Sequence, residues 1–470
     1  MKILFITSEA TPLAKVGGLA DVAGSLPRAL RSLDHDVRVL MPQYGGIDTN
    51  SFPVTPVISG FQTSREGEKV NLNLTTANET PVYLLENPRH FGTREVYTND
   101  LERFFFFSRV VFEILPALEW QPEIIHCHDW LTALVVMWAR KAGYPYASVF
   151  TIHNLAYQGF FDENFMRRHD LKKEWDYFPP EAPPIPYSFM SQAILWADLV
   201  TTVSETYARE ITTPEYGVGL DALLRYRAAA GQLTGIVNGI DNQAWDPLTD
   251  RYLAVNFNTE QMAKRVFNKI ALQRVTGLPV NNDIPLIGLV QRMDEQKGID
   301  ILVQGMEGLL RETGAQIVIL GRGREHYEEM LRQIAARYPQ QVAAVIAFEE
   351  PLAHLIYGGS DMFLMPSHFE PCGLGQMIAM RYGALPVVRH TGGLVDTVPQ
   401  FNVGLTQGNG FVFHDYNPEA MTGAVKEAAA AFKNKRDWFQ AMQRVCRLDF
   451  SWTASARKYE AAYRRVLAGK

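Results

Sequence analysis

The chain has 470 residues, of which 47% are hydrophobic and 20% charged, and a net charge of −6. That length holds two or three domains with full cores, and the balance excludes a disordered or fibrous chain. No basic arm points to nucleic acid, no apolar run approaches the roughly 18 residues of a membrane span, and the three cysteines, Cys127, Cys372 and Cys446, are not a disulfide framework.

The opening MKILFITSEA reads as a first buried strand, Ile3–Thr7, and not as a signal peptide, because Ser8 and Glu9 interrupt the apolar run. The expected compartment is the cytoplasm, or a plastid if a transit peptide has been removed. Short β-branched runs follow at Val37–Met41, Val82–Leu85, Ile124–Cys127, Ser148–Thr151 and Leu199–Val203. Helical spacing lies between them, as at Leu19–Leu33 and Leu131–Ala142. Continuous apolar strands separated by helices predict a parallel sheet covered on both faces. The pattern restarts at Leu286–Val290, Gln316–Leu320, Val342–Ile346, Met362–Met365 and Leu385–Val388. The turn-rich stretch Asn238–Pro247 marks the boundary. The expected organisation is therefore α/β, with Rossmann-like doubly wound domains over residues 1–240 and 241–450 and a terminal helix over 451–470 that returns to the first domain. Ligands of such sheets bind beyond the carboxyl ends of the strands, so the informative residues belong in the loops that follow them, around a cleft between the domains.

Five loops there carry chemistry. In Ser8–Val22, Gly17 and Gly18 open a helix whose free N–H groups favour an anion, with Lys15 as a point charge; a tight turn with a solvated lysine reads equally well. In Ile125–Thr132, His126, His128 and Asp129 suit polar contacts to substrate or an orienting network, since no second His/Cys pair has structural-zinc spacing. His153, in Phe150–Gly159, stands just past a strand. In Gln291–Gly298, Arg292 and Lys297 place two cations where a departing diphosphate develops charge. In Met365–Met377, Glu370 suits sugar hydroxyls, the backbone of Gly373–Gly375 suits phosphates, and Cys372 reads as a small packed residue; Gly392–Gly393 begins another helix. Asp34-His35-Asp36 imitates a metal motif but falls at a helix-to-strand turn. No P-loop and no nucleophile elbow is present, and no metal or other cofactor is expected.

Taken in order, KVGGLADV (Lys15–Val22), HCHDWLTAL (His126–Leu134), TIHNLAYQG (Thr151–Gly159), NGID with a following Trp-x-Pro (Asn238–Asp241, Trp245, Pro247), EQKG (Glu295–Gly298), and PSHFEPCGLGQ with RHTGGLVDTV (Pro366–Gln376, Arg389–Val398) resemble the bacterial glycogen synthases and plant starch synthases. The resemblance covers essentially the whole chain. It implies the GT-B fold, with the acceptor on the first domain and the nucleotide sugar on the second. It implies a retaining hexosyltransferase that moves glucose from ADP-glucose to the non-reducing 4-hydroxyl of an α-1,4-glucan (glycogen, starch or maltooligosaccharide). The same reaction from UDP-glucose, a silent glucan-binding scaffold and a phosphorylase-like enzyme are the alternatives; loss of Arg292, Lys297 or Glu370 would have marked the second, and a cofactor lysine the third. By position, the resemblance makes His153, Arg292, Lys297 and Glu370 the catalytic set. Lys15, Gly17, Gly18, Phe348, Cys372, Gly373, Leu374, Gly375 and Thr391 meet the donor, with Phe348 on the base. Glu9, Asp21, His128, Asp129 and Asn154 contact sugar or acceptor. The chain departs from the family at Ile378, where many related enzymes carry a second glutamate, at Gly375 in place of threonine, and at GRGRE, where Arg322 or Arg324 is either a phosphate contact or solvated.

Overall fold

The computed structural model describes residues 1–64, 67–175 and 179–469. They form two compact units: Met1–Gly239 with the segment from Trp452 onward, and Ile240–Ser451.

The first unit is built on nine strands: β1 (Lys2–Ile6), β2 (Asp36–Pro42), β3 (Thr55–Gln62), β4 (Lys69–Ala77), β5 (Thr80–Glu86), β6 (Ile124–His128), β7 (Ala147–Ile152), β8 (Leu199–Thr202) and β9 (Leu233–Gly235). Their order is β3-β4-β5-β2-β1-β6-β7-β8-β9. From β5 to β9 every pairing is parallel. The all-parallel expectation fails at one edge, where β4 runs antiparallel to both β3 and β5. The reason is chemical. β1 and β7 are buried almost throughout, whereas β4, KVNLNLTTA, alternates and β3 is mostly exposed. A half-solvated strand shows period two instead of a continuous apolar run.

Helix Gly18–Arg31 lies between β1 and β2, and its buried stripe includes Leu19, Val22, Leu26 and Leu30. The terminal helix, Trp452–Ala468, packs against it and buries Trp452, Tyr459 and Tyr463. Polar contacts fix it at two depths: Ser455 Oγ donates to the Val237 carbonyl at 2.7 Å, and the Tyr463 hydroxyl lies 2.8 Å from His126 Nδ1. Asp34 (φ 62°) turns the chain into β2, and His35 faces Glu460 at 3.4 Å, so that motif is a turn.

The second unit holds β10 (Leu286–Val290), β11 (Gln316–Gly321), β12 (Val342–Ile346), β13 (Met362–Met365), β14 (Leu385–Arg389) and β15 (Phe411–Phe413), all parallel, in the order β12-β11-β10-β13-β14-β15. Buried charges secure its amino edge. The Asp361 carboxylate accepts from Lys269 Nζ at 2.7 Å and from the Leu286 N–H at 2.9 Å. Arg265 donates to the carbonyls of Tyr382 and Tyr357 at 2.7 and 3.0 Å. Each ion has its hydrogen bonds, as burial requires. The opposite edge is left to loops.

Tyr463→Phe deletes the hydroxyl and leaves a buried imidazole nitrogen unpaired. Scanning calorimetry should show the first unit's transition weakened by about 1–2 kcal/mol, with the second unit's unchanged.

Candidate functional site

In the first unit the loop after β1 is organised by Glu9. Its side chain is buried, and Oε2 accepts the N–H groups of Val16 and Gly17 at 2.6 and 3.1 Å. The Tyr97 hydroxyl donates to Oε1 at 2.9 Å. The expectation that the Gly17 N–H stands free for an anion is therefore corrected: a carboxylate of the chain itself takes it. Glu9, expected beside sugar, braces this loop. Lys15 and Asp21 are paired at 2.7 Å on the exposed side, above the start of helix Gly18–Arg31.

Two loops along the sheet, β6 and β7 deliver the histidines. His126 is wholly inside, its nitrogens engaged by Tyr463 and by Thr151 Oγ1 at 2.6 Å. His128 is wholly buried too and lies 3.0 Å from His153, Nδ1 to Nε2. Its expected direct contact with sugar gives way to a place behind His153, because the alternation of β6 turns both histidines under the sheet edge. Asp129 sits in the left-handed region (φ 56°), and its Oδ1 accepts the His153 N–H at 2.8 Å. Desolvation pushes the Asp129 carboxyl up to about 7, against backbone hydrogen bonds from His153 and Asn154. Burial lowers His153 to about 3 and holds His126 and His128 well below the ordinary histidine value, so all three rings are neutral near pH 7.

In the second unit the loop after β10 carries Arg292 and Lys297. Asp294 caps the single turn Glu295–Lys297 by accepting the Lys297 N–H at 3.1 Å. Gly298 follows at φ +73°, where a Cβ would lie 2.0 Å from the Pro366 carbonyl oxygen. Only glycine lets this loop close on the one after β13. The result is an ion pair: Lys297 Nζ lies 2.8 and 2.7 Å from the two oxygens of Glu370, and Ser367 Oγ donates to the same carboxylate at 2.9 Å. The side chains are 17% and 5% exposed, so charge is concentrated where water is sparse. Arg292 stays half-exposed, held by Asp294 and Gln296 at 3.1 Å each.

Around Glu370, the Gly393 N–H donates to its carbonyl at 3.0 Å, and Gln376 ties the turn by donating to Cys372, Gly373 and Thr397. Cys372 and Thr391 are buried beside it. Leu374 caps the helix that starts at Gly375, whose first N–H groups have no helical acceptor. The threonine that the resemblance implies at this position would be crowded, since a Cβ at Gly375 already meets Phe363 Cε1 at 3.0 Å. Ile378 is buried in that helix. Arg324 pairs with Glu295 at 3.0 Å, and Arg322 is exposed. Phe348, 82% exposed between β12 and helix Glu350–Gly359, presents a bare ring.

Three groups escaped the sequence. Tyr97 is remote from Glu9 and carries no signal. Ser367 lies inside PSHFEPCGLGQ, and its spacing three residues before Glu370 is the sequence signal for it. Gly298 closes the EQKG motif, and its role depends on a contact 68 positions away in sequence, with Pro366.

Residues 2–226 match the family model of the starch synthase catalytic domain, and residues 276–443 that of glycosyl transferases group 1. The chain is 44% identical to the glycogen synthase of Geotalea uraniireducens, across the whole of both chains. It is 44% identical to that of Gloeobacter violaceus, across 100% of this chain and 99% of the relative. It belongs to the glycogen synthase and starch synthase family. The catalytic domain of starch synthase IV from Arabidopsis thaliana, bound to ADP and acarbose, superposes with a TM-score of 0.87 at 32% identity over 99% of each chain. As in other members of this glycosyltransferase family, the fold is GT-B. Among the described residues no group of three or more His, Cys, Asp or Glu is placed to hold a metal ion, and no helix is long and apolar enough to cross a membrane.

Two outcomes test the electrostatics. Lys297→Met leaves Glu370 buried without its cation and should cost about 3 kcal/mol in stability, whereas Lys297→Met with Glu370→Gln should cost less; denaturant titration of the single and double variants reads the coupling. Asp129 behaves oppositely to a salt-bridged acid. With its folded value raised to about 7, the folded protein holds a proton that the unfolded chain has released, so this group's stability is lost as pH rises from the usual carboxyl range through 7. Asp129→Asn keeps the acceptor oxygen and tolerates the positive φ. Its melting temperature relative to the parent should climb across that window, and a flat difference would contradict the assignment.

Proposed function

We propose that this glycosyltransferase transfers glucose from ADP-glucose to the non-reducing 4-hydroxyl of an α-1,4-glucan, with retention and without a metal or other cofactor. The Lys297–Glu370 pair beside Arg292 is the observation that carries the reading. A diphosphate and a sugar hydroxyl together need a cation and a carboxylate within one small site, and the two loops after β10 and β13 supply both.

In this reading Glu370 accepts hydroxyl hydrogens of the donor glucose. Lys297 and Arg292 take the charge that grows on the diphosphate as the bond from the anomeric carbon to phosphate oxygen breaks. The acceptor oxygen attacks from the same face, and its proton passes to the departing phosphate, so no enzymic nucleophile is required. Phe348 stacks on the base, with the turn Cys372–Gly375 and Thr391 along the donor. On the first unit Lys15 supplies a cation for a phosphate, and Asp21, Asn154 and His153 serve the sugars. The complex of the Arabidopsis relative with ADP and acarbose, at 32% identity, supports both the base and the glucan.

The test is nucleotide release from ADP-glucose and from UDP-glucose, with and without glycogen or maltooligosaccharide, in the presence of a chelator. Glucan-dependent ADP release is expected. Arg292→Ala should lower turnover about 100-fold. Preference for UDP-glucose would overturn the donor, and silence with both donors from folded protein would overturn the reaction.

A further inference from the structure

One hydrogen is shared between His128 and His153, and the surroundings of His128 decide its direction. Nδ1 of His128 and Nε2 of His153 are 3.0 Å apart, so one ring donates and the other accepts. The other nitrogen of His128, Nε2, is buried with no hydrogen-bond partner among the described residues. Phe5 stacks on this ring at 5.0 Å, and His126 leans on it at 4.1 Å with both its nitrogens spent elsewhere. A neutral imidazole has one N–H and one lone pair. A hydrogen on His128 Nε2 would be a buried donor with nowhere to go, and that costs more than a buried bare lone pair.

We propose that His128 is a positioning residue that donates from Nδ1 to His153 Nε2 and so fixes His153 in the tautomer with its hydrogen on Nδ1. The two alternatives, His153 donating to His128 or a charged pair, each place an N–H or a charge in the closed pocket around Phe5. Nδ1 of His153 is not among the buried unpaired atoms, and this residue is only half-buried, so Nδ1 is the ring atom left for a ligand. His153 then offers a donor and no lone pair. Resting on the glucosyl-transfer reading, this makes the ring a hydrogen-bond donor to a sugar oxygen, and it removes His153 as a base for the acceptor hydroxyl. The departing phosphate oxygen, which the glucosyl-transfer reading already gives that proton, then has no competitor in this ring.

The experiment is a long-range proton–nitrogen correlation spectrum of the full chain with ¹⁵N-labelled histidine and no substrate, His153 being assigned by the signals lost in His153→Gln. A protonated Nδ1 and a bare Nε2 are expected for His153; the reverse pattern, or a doubly protonated ring at pH 7, overturns the proposal. His128→Asn keeps an N–H at the position of Nδ1 and should keep that pattern. His128→Asp replaces the donor with an acceptor and should move the hydrogen to Nε2, with kcat at least about tenfold below that of the Asn variant and KM for the nucleotide sugar little changed. Equal kcat in the two variants despite a moved hydrogen overturns the functional role. Because the spectrum needs no substrate, an Nδ1-protonated ring in a protein that releases no nucleotide supports the hydrogen order and sinks only the glucosyl-transfer reading.

Discussion

The close approach of Gly298 to the Pro366 carbonyl is the constraint from which the second unit's chemistry follows. Lys297 and Glu370 stand 73 positions apart in sequence and are carried by loops after neighbouring strands, β10 and β13. Strand spacing alone brings the loops near each other, and the missing Cβ removes the last obstacle. The lysine and the carboxylate then neutralise each other, which makes a buried pair tolerable in the unliganded chain. On the proposed reading a ligand phosphate would stand beside Lys297 in place of the carboxylate, and ligand hydroxyls would donate to Glu370.

The first unit solves a different problem. Its neutral histidines, the raised Asp129 and the internally satisfied Glu9 make a site with little free charge, while Lys15 and Asp21 pair with each other on its exposed side. Neutral donors and acceptors suit polyhydroxyl ligands, whose hydroxyls lose little on leaving water if each finds one partner. The three neutral rings also set a direction for acid. The unfolded chain takes protons near the ordinary histidine value that the folded unit refuses, so stability falls as pH drops below it.

Much of this was legible beforehand. Buried parallel strands announce themselves as unbroken apolar runs, so β1, β2 and β5 to β8 were readable to within two residues at either end. β3 and β4 were not, because their pattern of alternation and exposure is that of a solvated edge. The charged residues of the second unit were visible because cations and a carboxylate after strands have few structural uses. His128 illustrates the limit. Its residue type and loop were readable, but whether it meets ligand or supports a neighbour depends on which way β6 turns it, and that is fixed by strand register. Tyr97 and Tyr463 act on residues far away in sequence, and no spacing rule reaches them.

The second unit begins and ends at one place. Ile240 donates its N–H to the Phe450 carbonyl at 2.8 Å and bridges Ser451, and from there the chain returns to the first unit as the helix that carries Tyr463. The second unit is therefore an insertion within the first, which has a consequence for biosynthesis. Everything between Ile240 and Ser451 has left the ribosome before the helix that completes the earlier unit appears. The enclosing unit cannot complete itself until that helix, which carries the partner of its His126, has emerged. Until then the side of helix Gly18–Arg31 against which the terminal helix packs has no cover.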